Sequence, residues 1–512
     1  TVLTGTALTF SGTTTTDRIV IKERVTADII LDNVDIQFTT IDQWGDGKAA
    51  FHINKNASAT ITLANTNILT SNGKSSGLEV PEGTSVIIQG DGQLTATGGT
   101  SSGEAGAGIG ARKNWGSGNI TIQSGTIIAN GGNGYGYYKG NYSGYGIGSY
   151  FGENVIINGG IIAAKGGTGA ISGNGDSILN LIINGGTFTN FSISGTKVII
   201  NKGTINNTDG SRITSDEIII NGGNIKITIP QRENGTGIHS IETKKLIIYG
   251  GNIFIEGQSF KNPTDVYNDN KGGNAINATE SVEIYGGTIN LLGGSGNPIG
   301  GNAGPGLAIN SPKIIIDGGS LYAKCGSPWT VFPFDKSIIK NQNNNDIYLG
   351  ITPEIANATD VSVDGVPYYI SGNHPDSDNK LYLYMTGTTH KVAIRADGKV
   401  TTYDVAYNRS GNDNDGYFIF SNKAEPTPSK TSKISFDVNN ITTTYTKENK
   451  ELTVKLTVTE TPITRSSAMN SVQLALTDGT NTYYSDRQTV TGSDEYTFTF
   501  DTQGLDAGNY TL

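Results

Sequence analysis

The sequence predicts an all-β protein in which a single-stranded parallel β-helix is followed by two small β-sandwich domains, the last of them immunoglobulin-like. Two observations predict the β-helix. A phrase of the type Ile-Ile-Asn-Gly-Gly recurs along most of the chain. Apolar residues come in short β-branched runs that end at Gly or Asn, and no stretch of helical length has a 3.6-residue period.

The recurring phrase marks short strands that each end at a tight turn. Because one such unit cannot bury its apolar side alone, repeated units predict a solenoid in which each coil packs on its neighbours. The copies, from regular to degenerate, are residues 156–160, 182–186, 219–223, 199–203, 247–251, 283–287, 315–319, 121–125, 87–90, 62–65 and 30–33.

A second short strand follows a loop in most units, so each coil is predicted to contain about three strands separated by turns. Stacked coils of this kind place strands parallel and in register. The second strand is recognised at residues 108–110, 146–148, 237–239 and 275–277.

The Asn before each glycine pair recurs in one register. We expect these side chains to form an inward ladder from coil to coil, which satisfies backbone groups at the turns, and we assign the glycines to the turns themselves. The ladder positions are Asn158, Asn184, Asn201 and Asn221.

The repeat signal places the β-helix at residues 1–330. Alternating strands over 331–424 predict a small β-sandwich or a cap, and the Pro-containing segment 425–431 is a linker. Alternation over 432–512 predicts an immunoglobulin-like sandwich without a disulfide. Its last strand stops abruptly at the end of the sequence, so we expect further domains beyond it.

Composition narrows the range of partners and compartments. The 512-residue chain has a net charge of −10, which argues against nucleic acid and favours a neutral ligand. No apolar run approaches the length of a membrane-spanning helix, so no membrane insertion is expected. One cysteine excludes an intrachain disulfide. Abundant Thr, Asn, Gly and Ser with so little Cys is typical of secreted and cell-surface proteins of Gram-positive bacteria.

A family resemblance adds to this. Residues 106–110, read with 119–122 and 125–127, resemble repeats in β-helical cell-surface proteins of clostridia and related gut bacteria, many of which are called carbohydrate-binding domain-containing proteins. The resemblance covers about residues 25–325. It implies a non-catalytic polysaccharide-binding protein, with calcium as an ion that some such proteins bind. Acidic clusters are sparse here, so we predict no metal site and no cofactor.

An aromatic loop is the richest candidate site. Residues 131–144 form a long loop between two strands of one coil, and loops on a rigid scaffold commonly carry function. Aromatic rings stack on the C–H faces of sugars while Tyr hydroxyls bond to sugar hydroxyls. The alternative is a loop that packs on itself to cover the coil edge. The predicted carbohydrate-binding residues here are Trp115, Tyr135, Tyr137, Tyr138, Tyr142 and Tyr145.

A second insertion, residues 257–273, lies on the same type of connection, and the loop 293–305 follows one coil later. Together with the aromatic loop, these insertions are predicted to wall a groove along one face. Asp265 and Asp269 are a possible acid and base, or acid and nucleophile, of a glycosidase. The alternative is that both are solvated loop carboxylates.

A third cluster lies near the N-terminus. Asp42 and Asp46 flank Trp44, an arrangement that suits a sugar subsite or, alternatively, a loop capping the end of the helix.

The second strands contribute outward-facing polar residues. His52 and Glu79 each follow an apolar residue, as does His239, and strand alternation turns them outward if the apolar residue points inward. At the same position Gly110 and Gly148 predict a shallow trough.

These observations favour a polysaccharide-binding or adhesion protein over an enzyme. The alternative is a glycoside hydrolase, or less favourably a polysaccharide lyase, that uses carboxylates among Asp42, Asp46, Asp265 and Asp269. The outward second-strand positions are mostly Gly, Ser, His and Asn and form no carboxylate row. Arginine, which a lyase acting on uronates needs, is scarce in the repeats.

Overall fold

A computed structural model of the chain confirms the all-β class. The residues that it describes contain 46 strands and no helix. The described residues are 7–38, 46–112, 115–134, 143–149, 151–166, 171–172, 180–190, 192–232, 237–260, 271–296, 304–326, 334, 339–371, 379–409, 416–421, 427–428, 433–436, 442–446, 451–461, 470–477, 482–490 and 494–501.

Most of the strands belong to one parallel sheet that winds as a β-helix, as predicted. The strands up to the end of the solenoid are β1 (Leu8–Thr14), β2 (Ile19–Ile21), β3 (Thr26–Gln37), β4 (Phe51–Ile53), β5 (Ser58–Ala64), β6 (Thr66–Thr70), β7 (Leu78–Glu79), β8 (Ser85–Gly90), β9 (Gln93–Thr97), β10 (Ile109–Gly110), β11 (Gly116–Ser117), β12 (Asn119–Ile122), β13 (Thr126–Asn130), β14 (Ile147–Gly148), β15 (Phe151–Gly152), β16 (Val155–Ile157), β17 (Ile161–Lys165), β18 (Ile171–Ser172), β19 (Asn180–Ile183), β20 (Thr187–Thr189), β21 (Ile193–Ile200), β22 (Thr204–Asn207), β23 (Ile213–Ile220), β24 (Asn224–Thr228), β25 (Ile241–Ile248), β26 (Asn252–Glu256), β27 (Ile276–Ile284), β28 (Thr288–Leu292), β29 (Ile309–Asn310), β30 (Ile314–Ile316), β31 (Ser320–Lys324) and β32 (Ile339–Lys340).

Each coil contributes one strand to each of three faces. In the coil that starts at β4, strand β4 lies on what we call the third face, β5 on the first face and β6 on the second. Strands of successive coils pair in parallel on each face, for example β5 with β8 and β6 with β9. In β21, β23, β25 and β27 a single strand runs through both the third and the first face.

The core lies inside the coils and follows from strand alternation. In β5, for example, every second residue is buried. The inward positions are filled by β-branched and other aliphatic side chains that stack rung upon rung, as Ile183, Ile200 and Ile220 do. This row is part of one continuous apolar core that runs along the solenoid.

The predicted Asn ladder is present, but the inward orientation that we expected for its side chains is wrong. Asn158 donates a hydrogen bond to Gln123 at 2.7 Å, and the donation is repeated on the next three coils, from Asn184 to Asn158, from Asn201 to Asn184 and from Asn221 to Asn201. Its side chains are partly or fully exposed at the turn and do not point into the core. On the next two coils the ladder position is occupied by Tyr249 and Tyr285, whose stacked rings have their centroids 5.3 Å apart.

Two stacks of glycines hold the long loops in place. In the first stack, glycines at the start of a loop alternate with glycines at the end of a loop. The Gly106 N–H donates to Gly99 O, the Gly132 N–H donates to Gly106 O, and the Gly144 N–H donates to Gly132 O. A Cβ on Gly144 would lie 1.8 Å from Gly106 O, so only glycine permits this spacing. The second stack runs through Gly273, Gly294, Gly306 and Gly326.

The glycine stacks place the insertions 131–144, 257–273 and 293–305 on one type of connection, from the second face to the third. The equivalence that we predicted for these three loops is therefore confirmed.

The described structure divides into two compact units, which split the predicted 331–424 region. The first unit comprises Thr1–Glu354 and Tyr369–Gly387. In it, β33 (Ile347–Ile351) pairs antiparallel with β36 (Tyr382–Thr386). Ile347 and Tyr384 from this pair join the solenoid core, which the strand pair therefore caps at its C-terminal end.

The second unit comprises Ile355–Tyr368 and Thr388–Leu512 and is built from antiparallel sheets. The largest contains strands β35, β34, β37, β38 and β39 in that order, with β40 beside β38. Another contains β41, β43, β42 and β46, and β44 pairs with β45. The strands are β34 (Ala358–Val363), β35 (Val366–Pro367), β37 (His390–Ala396), β38 (Lys399–Arg409), β39 (Gly416–Ser421), β40 (Thr427–Pro428), β41 (Lys433–Phe436), β42 (Thr442–Thr446), β43 (Glu451–Thr461), β44 (Asn470–Thr477), β45 (Thr482–Val490) and β46 (Asp494–Asp501).

Candidate functional site

The third face carries a polar pair on two neighbouring coils. Phe51 and Leu78 point inward and are fully buried, so alternation turns the next residue of each strand outward, as predicted. His52 and Glu79 are direct neighbours across the rung, and His52 Nδ1 lies 2.9 Å from Glu79 Oε2. Both side chains are partly exposed. With Nδ1 engaged, the second ring nitrogen of His52 and the second carboxylate oxygen of Glu79 are the atoms that can meet a ligand.

An arginine, an aspartate and a tryptophan form a second group beside this pair. Arg112 lies two residues beyond Gly110, whose strand neighbour is Glu79. The Arg112 guanidinium bonds to Asp46 at 2.7 Å and lies 3.8 Å from the centre of the Trp115 ring. Lys74 approaches the same aspartate at 3.9 Å. Arg112 thereby links the loop before β4 to the turn after β10.

Trp115 is the aromatic residue of this group that a ligand can reach. Its exposed fraction is 55%, which is high for a large apolar side chain. A guanidinium over an indole ring is a favourable contact that holds the ring in place. The solenoid therefore presents an oriented aromatic surface at this point.

The trough that we expected beside Glu79 is not open. Gly110 and Gly148 do occupy the next two outward positions in register, but both are buried. A Cβ on Gly110 would lie 2.3 Å from Gly148 O. At these positions glycine allows two backbones to approach closely, so no space remains for a ligand.

Tyr145 also differs from expectation. Its exposed fraction is 2%, so its ring has no face to offer a sugar, and it belongs to the packed base of the loop. This corrects its assignment as a carbohydrate contact. The other predicted binding residues of the loop, Tyr135, Tyr137, Tyr138 and Tyr142, lie outside the described residues, as do Trp44, Asp42, Asp265 and Asp269.

His239 does not belong to the third-face row. The strand of its coil, β25, begins at Ile241, four residues later than the predicted start at residue 237. The Asn274 N–H donates to His239 Nδ1 at 2.9 Å, which places the ring proton on Nε2. Burial is the main cause that lowers the pKa of this imidazole below its usual 6.5, and Arg212 and Lys271 act in the same direction against Glu242.

Arg112 and Lys74 were not identified from the sequence. Their partner Asp46 was identified, but it stands 66 residues before Arg112, so the contact exists only once the coils are stacked. One signal was present, since Arg112 is the only arginine between Arg24 and Arg212 and precedes a tryptophan by three residues.

Within the described part of the chain, no three His, Cys, Asp or Glu side chains are grouped so that they could hold a metal ion. No helix long and apolar enough to cross a membrane occurs among those residues. The chain matches no family model, no curated protein and no solved structure.

Proposed function

We propose that this protein binds a neutral polysaccharide at the surface of a bacterial cell and does not cleave it. The binding region is the third face around Trp115, Arg112, His52 and Glu79. The three insertions leave the solenoid at the glycine stacks, between its second and third faces.

The exposed ring of Trp115 is the observation that carries the proposal. Covering a solvent-exposed indole that a guanidinium already holds in place is favourable, and the C–H face of a sugar ring is a suitable cover. Ring stacking requires no ligand charge, which suits a chain with a net charge of −10.

The polar residues beside Trp115 supply the hydrogen bonds that ring stacking does not provide. Sugar hydroxyls both donate and accept hydrogen bonds, so a site needs acceptors and donors beside the ring. Glu79 and the exposed Asp46 are acceptors, while His52 and Arg112 bring N–H groups. Asp46 and Arg112 form a contacting pair of opposite charge, and Glu79 contacts His52, which supports a neutral ligand over an anionic one.

The experiment is a binding survey with the full chain. Affinity electrophoresis against neutral and acidic polysaccharides selects ligands, and isothermal titration then gives affinities. We expect neutral glycans to bind. Trp115→Ala should weaken binding roughly fivefold, equivalent to about 1 kcal/mol for one stacking contact. Trp115→Phe should retain most of the affinity because it keeps an aromatic face.

Tyr249→Ala is the matched control, since Tyr249 is an exposed aromatic residue elsewhere on the solenoid, with an exposed fraction of 49%. It should leave binding unchanged. Absence of binding to any neutral glycan, or equal affinity of the Trp115→Ala variant and the parent, contradicts the proposal. Release of new reducing ends from a bound glycan supports the glycoside hydrolase alternative instead.

A further inference from the structure

The first face carries a row of outward-pointing isoleucines. In the recurring Ile-Ile pair the second Ile is buried in the core, and the first occupies the opposite side of the sheet. The strand pairings place these first residues in one line on four successive coils, at Ile156, Ile182, Ile199 and Ile219, and the next residue in the line, Ile247, is buried. We call this line the isoleucine stripe.

The stripe is bordered by polar residues on both sides. Two positions after each of its isoleucines lies a member of the Asn ladder, ending at Asn221. Two positions before Ile199, Ile219 and Ile247 lie Lys197, Glu217 and Lys245, which are also consecutive in register. An apolar strip with polar borders has the composition of an interaction surface.

The border charges alternate from one coil to the next. Lys197 bonds to Glu217 of the neighbouring coil at 2.8 Å, and Lys245 follows on the coil after that. Successive coils are about 4.8 Å apart, the spacing of paired strands. A partner that meets the charges of Lys197 and Glu217 must carry the opposite charges one coil apart, and a second copy of this solenoid does so.

We propose that the isoleucine stripe pairs with the same stripe of a second copy of the chain. A two-fold axis parallel to the strands, placed between the coils of Lys197 and Glu217, lays stripe on stripe and reverses the order of coils. Each Lys197 then faces the partner's Glu217, and each Glu217 faces the partner's Lys197. Such an interface is self-complementary, as two-fold symmetry requires.

The area of this face sets the strength of the dimer. The outward face continues in register from Ile87 to Ile315, with Thr121 and Glu283 as polar interruptions. The proposed axis sets eight of these nine coils against coils of the partner, and with three outward positions per strand they give a patch of about 34 by 13 Å, on the order of 450 Å² per copy. The total is close to the lower limit for a specific interface, so the dimer forms reversibly at micromolar concentrations.

Sedimentation velocity of the full chain over a range of micromolar concentrations tests the proposal. We expect a monomer–dimer equilibrium in the parent. Ile199→Lys, which places a charge in the middle of the stripe, should give a monomer throughout that range. Ile161→Lys is the control, since Ile161 is an outward isoleucine of the second face with an exposed fraction of 58%. It should dimerise like the parent.

Exchanging the charges of Lys197 and Glu217 gives a second test that does not depend on the Ile199→Lys variant. Lys197→Glu alone should weaken dimerisation about tenfold, since it sets like charges against each other across the axis. The double variant Lys197→Glu, Glu217→Lys should restore parental dimerisation. Far-UV circular dichroism and the melting temperature verify folding of each variant. A parent that stays monomeric, a control that loses dimerisation as Ile199→Lys does, or a double variant that does not recover overturns the proposal.

Discussion

His239 shows how burial sets the protonation state of a single side chain and how one hydrogen bond sets its tautomer. Its Nδ1 accepts the Asn274 N–H, and burial lowers its pKa, so the folded protein holds the ring neutral at pH values where an unfolded chain protonates it. A group with a lowered folded-state pKa of this kind contributes stability above its unfolded value. That stability is lost as the pH falls through 6.5.

We therefore predict that the melting temperature of the parent falls between about pH 7.5 and about pH 5.5, a window above the usual titration range of carboxylates. His239→Asn keeps an acceptor near the position of Nδ1 but cannot be protonated. Its melting temperature should fall less over the same window. Equal pH dependence in the two proteins would show that His239 contributes nothing to this effect. The measurement is differential scanning calorimetry at constant ionic strength.

Comparing two glycines distinguishes two costs of adding a Cβ, the strain of a positive φ and the steric clash with neighbouring atoms. Gly223 and Gly210 have nearly equal positive φ angles of 95° and 99°. A Cβ on Gly223 would lie 2.8 Å from Gly203 O, whereas the nearest atom to a Cβ on Gly210 is Pro230 Cδ at 3.6 Å. The turn glycines of the repeat thus carry a second constraint, imposed by the coil below.

Gly223→Ala should consequently destabilise the solenoid more than Gly210→Ala. Both variants incur about 1 kcal/mol from a positive φ, and only Gly223→Ala must also displace a backbone carbonyl. Thermal melts followed by circular dichroism compare the two. If the two melting temperatures fall equally, the neighbouring turn moves aside without measurable cost, and the contact with Gly203 O does not affect stability.

At the scale of the element, the Asn ladder couples neighbouring turns. Asn201 is a middle member that donates to Asn184 at 2.7 Å and accepts from Asn221 at 2.6 Å, whereas the next position after Asn221 is Tyr249. Asn201→Ala removes two side-chain hydrogen bonds, and Asn221→Ala removes one of them.

We predict a loss of about 1–2 kcal/mol for Asn201→Ala and about half of that for Asn221→Ala, since a partly exposed hydrogen bond contributes modestly. Chemical denaturation monitored by circular dichroism gives the comparison. A larger loss for Asn221→Ala than for Asn201→Ala would contradict a ladder built from pairwise bonds. Asn224→Ala, at an exposed position of the next strand, is a control.

At the scale of the whole molecule, the solenoid requires a cover at its C-terminal end. The open end of a β-helix exposes unpaired strand edges and core side chains. In this chain Ile339, Ile347 and Tyr384 extend the core beyond residue 330. The repeat signal stops before this cap because the cap strands are antiparallel and carry no turn phrase.

Two truncations test this. A chain ending at residue 424 keeps the cap strands and should retain the melting temperature of the solenoid and its glycan affinity. A chain ending at residue 330 lacks them and should melt several degrees lower and aggregate, because a bare solenoid end presents a parallel sheet edge. Size-exclusion chromatography and calorimetry report both properties. Equal stability of the two truncated chains would show that the cap is dispensable.

The sequence alone determined the features that are local and repeated. Strand alternation set the inward isoleucines, and the Asn-Gly-Gly turn fixed the register of each coil, so the all-β class, the β-helix and the Asn ladder followed from residues close together in the chain. The outward orientation of His52 and Glu79 followed from the same alternation.

Only the tertiary structure decided which residues meet across coils. Loop lengths vary, so the number of residues between stacked positions is not constant, and contacts such as Arg112 with Asp46 cannot be read from spacing. The burial of Tyr145 and Gly148 depends on backbones that approach from neighbouring coils. The rows of the solenoid are set by a period in the sequence, whereas its candidate site is set by the packing of irregular loops on that regular frame.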